Sequence, residues 1–248
     1  MKQAFIFDVD GTLADTERDG HRVAFNQAFE ESGLDWSWDE ETYGELLSVT
    51  GGKERIKYYV ESRNKPERTR KDLDDLIKRL HALKTEKYVS LLQHNAIPLR
   101  PGVKRLLTEA RADGIRLAIA TTTTPENVTA LLENALGSDS VDWFEVIGAG
   151  DIVPHKKPAP DIYQYVLEKM QLSPDQCVAF EDSLNGIKSS QAAQLDTIVT
   201  YNGYTRNDDF KGAKMILDQL GDADNPSQVL QQNGQQGYLT VDMIRQAV

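Results

Sequence analysis

A single cysteine, Cys177, in 248 residues leaves no intrachain disulfide and fits a reducing compartment. No stretch approaches the roughly 18 consecutive apolar residues that a membrane-spanning helix needs, so a membrane is not an expected partner. Basic residues are outnumbered, 28 Lys+Arg against 39 Asp+Glu for a net charge of −11. That balance argues against a duplex nucleic-acid binder, whose phosphate contacts require a basic surface. It leaves anionic small molecules open, because a few clustered lysines or one bound cation reverse the field locally. No His/Cys spacing suggests zinc. Neither GxxxxGK[ST] nor GxGxxG occurs, which removes support for an ATP P-loop or a dinucleotide site. The opening Met-Lys-Gln-Ala-Phe enters an apolar run at once, so no leader is expected. The expected location is the cytoplasm, or the chloroplast stroma where a transit peptide has been removed.

What is present is an ordinary globular composition, 40% hydrophobic and 27% charged, on a chain long enough for one large domain or two small ones. Short, near-continuous apolar runs recur at Ala4–Val9, Ile115–Thr121, Phe144–Ile147, Cys177–Phe180, Thr197–Tyr201 and Lys214–Leu217. Strands buried on both faces read this way. Helical stretches at Gly102–Asp113, Pro125–Leu136, Asp161–Met170 and Asn185–Ala193 lie between them, giving βαβ units around a parallel sheet. From about Asp15 to Gln93 the rhythm breaks. Val23, Phe25, Phe29, then Ile56, Tyr59, Val60, then Leu73, Leu76, Ile77, Leu80, Leu83 fall at helical spacing. This predicts a four-helix insertion with hinges near Ala14–Thr16 and 95–101. The expected organisation is therefore a Rossmann-like α/β core of residues 1–14 and 96–222, a helical domain of residues 15–95, and a surface appendage of residues 223–248 ending in an amphipathic stretch at Val241–Ala247.

Four strand ends carry reactive side chains. The first strand runs into Phe7-Asp8-Val9-Asp10-Gly11-Thr12. Residues two apart in an extended chain share a side, so Asp8 and Asp10 can converge where open α/β sheets bind ligands. Alone, the pair reads equally well as a solvated turn. The run Ile115–Ala120 ends in Thr121-Thr122-Thr123-Thr124 before Pro125: an anion-binding helix start, or a plain N-cap. Lys156-Lys157-Pro158-Ala159-Pro160-Asp161 reads alone as a charged surface loop. Cys177–Phe180 ends in Glu181-Asp182-Ser183, an oxygen donor set suited to Mg²⁺ or again a cap. Four such elements at four strand ends supply two carboxylate pairs, a hydroxyl and a lysine. Those are the parts of a phosphoryl-transfer site.

The order Asp8-Val9-Asp10-Gly11-Thr12, Thr121, Lys157-Pro158, Glu181-Asp182 resembles the four motifs of the haloacid dehalogenase superfamily over roughly residues 2–220, in its phosphatase and phosphomutase branch. The helical insertion resembles that superfamily's C1 cap. Thr50-Gly51-Gly52-Lys53-Glu54-Arg55-Ile56, Trp36-Ser37-Trp38 and Ala120-Thr121-Thr122-Thr123 resemble the CbbY family. The resemblance implies a nucleophile at Asp8, which would form an aspartyl phosphate, and an acid and base at Asp10. It implies a phosphoryl-binding hydroxyl at Thr121 and a charge-neutralising Lys157. It also implies Mg²⁺ on Asp8, the Asp10 carbonyl and Asp182, with Glu181 nearby. CbbY proteins are sugar-bisphosphate phosphatases, linked in the Calvin cycle to removal of xylulose 1,5-bisphosphate, a by-product that inhibits Rubisco.

A bisphosphate needs a second grip, and Thr50, Gly51, Gly52 and Lys53 are the candidates: glycines permit close backbone approach and Lys53 adds a point charge. His81 and Lys84, three apart on a helix, could share a face aimed at the cleft. Glu17 could accept bonds from sugar hydroxyls, with Thr122 and Thr123 lining the phosphate end. For Lys53, His81 and Lys84 the competing reading is solvated helix surface. Beta-phosphoglucomutase-like relatives carry a hinge histidine that straight counting places on Gly20, with His21 one residue later. The expected protein is thus a Mg²⁺-dependent sugar-phosphate phosphatase, monomeric, with a small-molecule substrate. The same-chemistry alternative is a phosphomutase of the beta-phosphoglucomutase type. The alternative from another class is a catalytically silent regulatory or interaction protein. His94 and His155 read as loop or surface residues.

Overall fold

Alternate residues of the first buried strand feed two different cores. Strand β1 (Ala4–Phe7) sends Phe5 and Phe7 to one face and Ala4 and Ile6 to the other, as a period of two requires. The structure, a computed structural model, describes residues 2–63, 65–94 and 97–248. Among them, β1, β2 (Arg116–Ala120), β3 (Phe144–Gly148), β4 (Cys177–Glu181), β5 (Asp196–Thr200) and β6 (Met215–Leu217) form one parallel sheet in the order β3-β2-β1-β4-β5-β6. The expected parallel α/β fold is what is found. No helix among the described residues is long and apolar enough to cross a membrane.

The described part of the inserted segment is built from helices and loops: a π-helical turn at Glu17–His21, then α1 (Arg22–Glu31), α2 (Glu40–Leu46), α3 (Gly52–Ser62) and α4 (Leu73–His94). An aromatic cluster of Phe25, Phe29, Trp36, Trp38, Tyr43 and Tyr59 forms its interior. Asn26 clamps Trp38 there through both its carbonyl and its N–H, at 2.9 and 2.8 Å. Helix α4, about 33 Å long at 1.5 Å per residue, belongs to both interiors. Leu76, Ile77 and Leu80 pack in the cap, whereas Tyr88 and Leu92 join the sheet's core with Phe5 and Phe7. A boundary drawn at residue 95 therefore separates less than the sequence suggests. The two crossings lie side by side, because Ala14 bridges Leu99 and the Arg100 N–H donates to the Leu13 carbonyl. The second expected hinge, 95–101, begins at Asn95 and Ala96, outside the described residues.

After the cap come α5 (Val103–Ala112), α6 (Pro125–Leu136), α7 (Asp161–Met170) and α8 (Leu184–Ala192), then α9 (Gln228–Gln232) and α10 (Val241–Ala247). The last two correct an expectation. Residues 223–248 do not stand apart as a surface appendage: Leu230, Leu239, Val241 and Ile244 are fully buried in the same cluster as Phe5. The polar composition of the segment conceals these four. It is also pinned to α5, where Arg105 donates to the Leu239 carbonyl at 2.6 Å and Glu109 accepts from the Val241 N–H at 2.8 Å.

Candidate active site at the strand ends

Parallel register brings the motifs together. Phe7 pairs with Ile119 on one side and Phe180 on the other, so Asp8, the Thr121 turn and Glu181-Asp182 emerge at one sheet edge. They line a cleft of about 270 Å³ between core and cap, shared with Asp10, Glu17, Thr50, Arg55, Thr122, Lys157 and Asn202. The Asp8 loop can be built only with glycine after Asp10. Gly11 has φ +84°, and a Cβ there would lie 2.2 Å from an Asp182 carboxylate oxygen. Arg100, buried, donates to the carbonyls of Gly11, Thr200, Tyr201 and Asp218 and ties that loop to the ends of β5 and β6.

Lys157 sits in the middle. Its ammonium donates to Asp8 Oδ1 at 2.7 Å, Glu181 Oε1 at 2.6 Å and the Ala120 carbonyl at 2.9 Å. Burial alone would lower its pKa, but Asp8 and Glu181 outweigh that and hold it charged. Asp8 is pushed up to about 7, first by burial, with Lys157 opposing and Glu181 reinforcing. Burial, then Asp8 and Glu181, push Asp182 well above the usual carboxylate range. Asp8, Glu181 and Asp182 each offer one oxygen, all within 4.8 Å of one another, and Glu181 Oε2 is buried without a hydrogen-bond partner. Three crowded carboxylates with one lysine between them form an all-oxygen donor set short of positive charge, which fits a hard divalent cation such as Mg²⁺.

Asp10 faces the other way, toward the cap. Its Oδ1 accepts from Thr16 Oγ1 at 2.5 Å and from His21 Nε2 at 2.8 Å. Lys84 Nζ lies 2.8 Å from His21 Nδ1. An ammonium only donates, so Nδ1 accepts and the imidazole proton sits on Nε2. Burial works to raise Asp10, but the hydrogen bonds from His21 and Thr16, with the positive charge of Lys84, outweigh it and keep the carboxyl ionised. Lys84 itself is lowered to about 8, by burial first. His21 is the residue that counting along the sequence missed. Straight counting against relatives falls on Gly20, whereas His21, one place later in the π-helical turn at Glu17–His21, is the residue on Asp10.

The remaining expected site residues divide. Glu17 accepts from Tyr43 OH and lies 3.8 Å from Arg55, and Thr50 accepts from Asn185 at 3.0 Å; both line the cleft. Thr121 is buried and Thr122 lines the cleft beside it, whereas Thr123 accepts from Asn127 at 3.0 Å. Lys84 is buried behind Asp10 and is not solvated surface. Gly51, Gly52, Lys53 and His81 do not line this cleft. Lys53 pairs with Asp151 of the core, which also binds Lys156 at 2.9 Å, and Lys156 reaches Glu54 at 3.3 Å. The open faces of the glycines are already filled, Gly52 by the His81 ring and Gly51 by Glu54 and Lys156. Burial and three nearby lysines lower His81 to about 3, leaving it neutral. Arg55, four residues past Gly51, was not singled out from the sequence. It is buried in the cleft wall, donates to Tyr43 OH at 2.8 Å and keeps an unpartnered Nε. Asn202, holding Asp182 at 2.7 Å, carries no sequence signal.

Against known proteins, residues 2–194 match the model of the haloacid dehalogenase-like hydrolases. The chain is 46% identical to protein CbbY of Cereibacter sphaeroides over 222 residues, covering 90% of this chain and 94% of that one. It is 40% identical to a CBBY-like protein of Arabidopsis thaliana, over 90% of this chain and 70% of the other. A crystal structure of a CbbY variant from Rhodobacter sphaeroides in complex with xylulose 1,5-bisphosphate superposes with a TM-score of 0.81 at 46% identity. That superposition spans 88% of this chain and 95% of the other.

Proposed function

The chain belongs to the haloacid dehalogenase-like hydrolases, within them to the CbbY family, and from that premise we propose a sugar-bisphosphate phosphatase acting through an aspartyl phosphate on Asp8. The observation that carries the reading is the Asp8–Lys157–Glu181 cluster. A buried carboxylate stands at the mouth of a polar cleft beside a lysine fixed to neutralise charge building on it. Asp8, Asp182 and the backbone of Asp10 would hold Mg²⁺, with Glu181 beside them. When bound, the cation supplies positive charge for the transferring phosphoryl oxygens. Ionised Asp10, oriented by Thr16 and His21, is set to take the proton of an attacking water; the preceding donor role requires that it first acquire a proton. Xylulose 1,5-bisphosphate or a near relative is the proposed substrate, since a relative at 46% identity was crystallised with it. The domain division proposed is a sheet core and a helical cap meeting at this cleft.

Phosphate release from a panel of sugar mono- and bisphosphates tests the reading, and no release from any of them would end it. EDTA is expected to abolish turnover, Mg²⁺ to restore it and Ca²⁺, which prefers more ligands and longer bonds, not to. Full activity in metal-free buffer would contradict the carboxylate site.

For the distal phosphate the proposed grip moves from Lys53 to Arg55, whose fork suits phosphate and which lines the cleft. A charge-assisted contact is worth about 1.5–3 kcal/mol, so Arg55→Ala is expected to lower kcat/KM for a bisphosphate roughly 10- to 150-fold. The loss on para-nitrophenyl phosphate should be far smaller. Lys53→Ala breaks a partly exposed ion pair worth about 0.2–1 kcal/mol. It should cost up to about fivefold on both substrates alike. The reverse pattern would return the distal grip to Lys53.

A second reading, transfer of the phosphoryl group back to sugar, is favoured by one observation, the His21–Asp10 contact. Phosphorus NMR of a sugar 1-phosphate with trace bisphosphate separates the two readings: rearrangement marks a mutase, and accumulating inorganic phosphate marks a phosphatase.

A further inference from the structure

We propose that Tyr163 is a positioning residue whose hydroxyl holds Glu181 and thereby frees Lys157 to turn to the incoming phosphoryl group. Tyr163 lies on α7, fully buried, and none of the four motifs contains it. Its hydroxyl donates to Glu181 Oε1 at 2.5 Å, the same oxygen that accepts from Lys157 at 2.6 Å. Its ring lies under the Lys157 ammonium, 5.2 Å from nitrogen to centroid.

An ammonium has three N–H groups, and Lys157 has committed all three, to Asp8, Glu181 and the Ala120 carbonyl. A phosphoryl group on Asp8 can be contacted only if one of these bonds is given up. The Ala120 carbonyl is fixed in β2, and Asp8 is the reacting group, so Glu181 is the partner to release. Glu181 is 1% exposed, and its other oxygen has no hydrogen-bond donor. A buried carboxylate left without a donor is costly, and that cost would hold Lys157 in place. The Tyr163 hydroxyl removes it, because Oε1 keeps one donor whichever way the lysine turns. The carboxylate fills the space that glycine leaves at 186, where a Cβ would lie 1.8 Å from Glu181 Oε2. The Tyr163 hydroxyl is the anchor that keeps it there when the lysine turns.

The inference rests on the reading of Asp8 and Lys157 as the phosphoryl-handling pair. Tyr163→Phe keeps the ring and deletes the hydroxyl, and Tyr163→Leu deletes both. Both are compared with wild type by steady-state kinetics in saturating Mg²⁺, by calorimetric binding of inorganic phosphate, and by thermal melting. Tyr163→Phe is expected to lose roughly tenfold in kcat, with KM within about threefold, and roughly tenfold in phosphate affinity, since one hydrogen bond to a charged group is at stake. Its melting temperature should stay within a few degrees of wild type, and Tyr163→Leu should melt lower without a much larger loss of kcat. Wild-type kcat and phosphate affinity in Tyr163→Phe would overturn the proposal. So would a loss confined to Tyr163→Leu, which would assign the effect to the ring. If the wild-type protein hydrolyses no sugar phosphate, the functional reading fails, and the phosphate-binding comparison still decides the role of Tyr163.

Discussion

Asp8→Asn is expected to release no phosphate above background from any sugar phosphate that the wild-type protein hydrolyses. The amide is nearly the same size and can still face Lys157, so binding of substrate should survive. What is lost is the nucleophile, because a neutral amide oxygen is far too weak to open a phosphate ester. Removing a nucleophile from a preorganised site is not compensated by the groups that remain, which act as a unit with it. Because one buried carboxylate leaves a site that holds three, the variant should also melt no lower than wild type. Turnover within tenfold of wild type, in a preparation free of contaminating phosphatase, would place the chemistry elsewhere.

Lys157→Met is expected to cost both activity and stability, with the stability loss depending on pH. Among the described residues Lys157 is the one ammonium bonded to Asp8 and Glu181, and removing one partner of a buried ion pair typically costs about 3–5 kcal/mol. At about 2–4 °C per kcal/mol for a chain of this size, the melting temperature should fall by roughly 6–20 °C at pH 8 in EDTA. The sign with pH follows from Asp8. Its folded pKa is raised, to about 7 from the ordinary 3.8, so its ionised form is disfavoured in the fold, and without Lys157 it is disfavoured further. The penalty is present above the folded pKa and is relieved as pH falls through it toward the unfolded value. The gap between variant and wild type should therefore narrow from pH 8 to pH 5. A gap that widens on acidification, or a variant as stable as wild type at pH 8, would mean that the lysine is not the counter-ion of a charged pair.

The parallel α/β core, the helical nature of the insertion and the polar groups that converge on the strand ends are legible in the order of the amino acids. These follow from local physics. Near-continuous apolar runs demand burial on both faces, helical spacing persists through the insertion, and reactive residues at the ends of neighbouring parallel strands must meet. Asp8, Thr121, Lys157, Glu181 and Asp182 were legible for that reason.

Which residues of the cap face them depends on long-range packing. The sequence placed Lys53 near a phosphate because glycines precede it, yet Lys53 is drawn to Asp151, 98 residues away, a pairing that no local pattern encodes. Counting placed the hinge position on Gly20, but the residue on Asp10 is His21, in a π-helical turn that carries no composition signal. Tyr163, Arg55, Arg100 and Asn202 act through partners 12 to 118 residues distant in sequence. A side chain's environment is set by what folding brings beside it, and the sequence records the side chain without its neighbours.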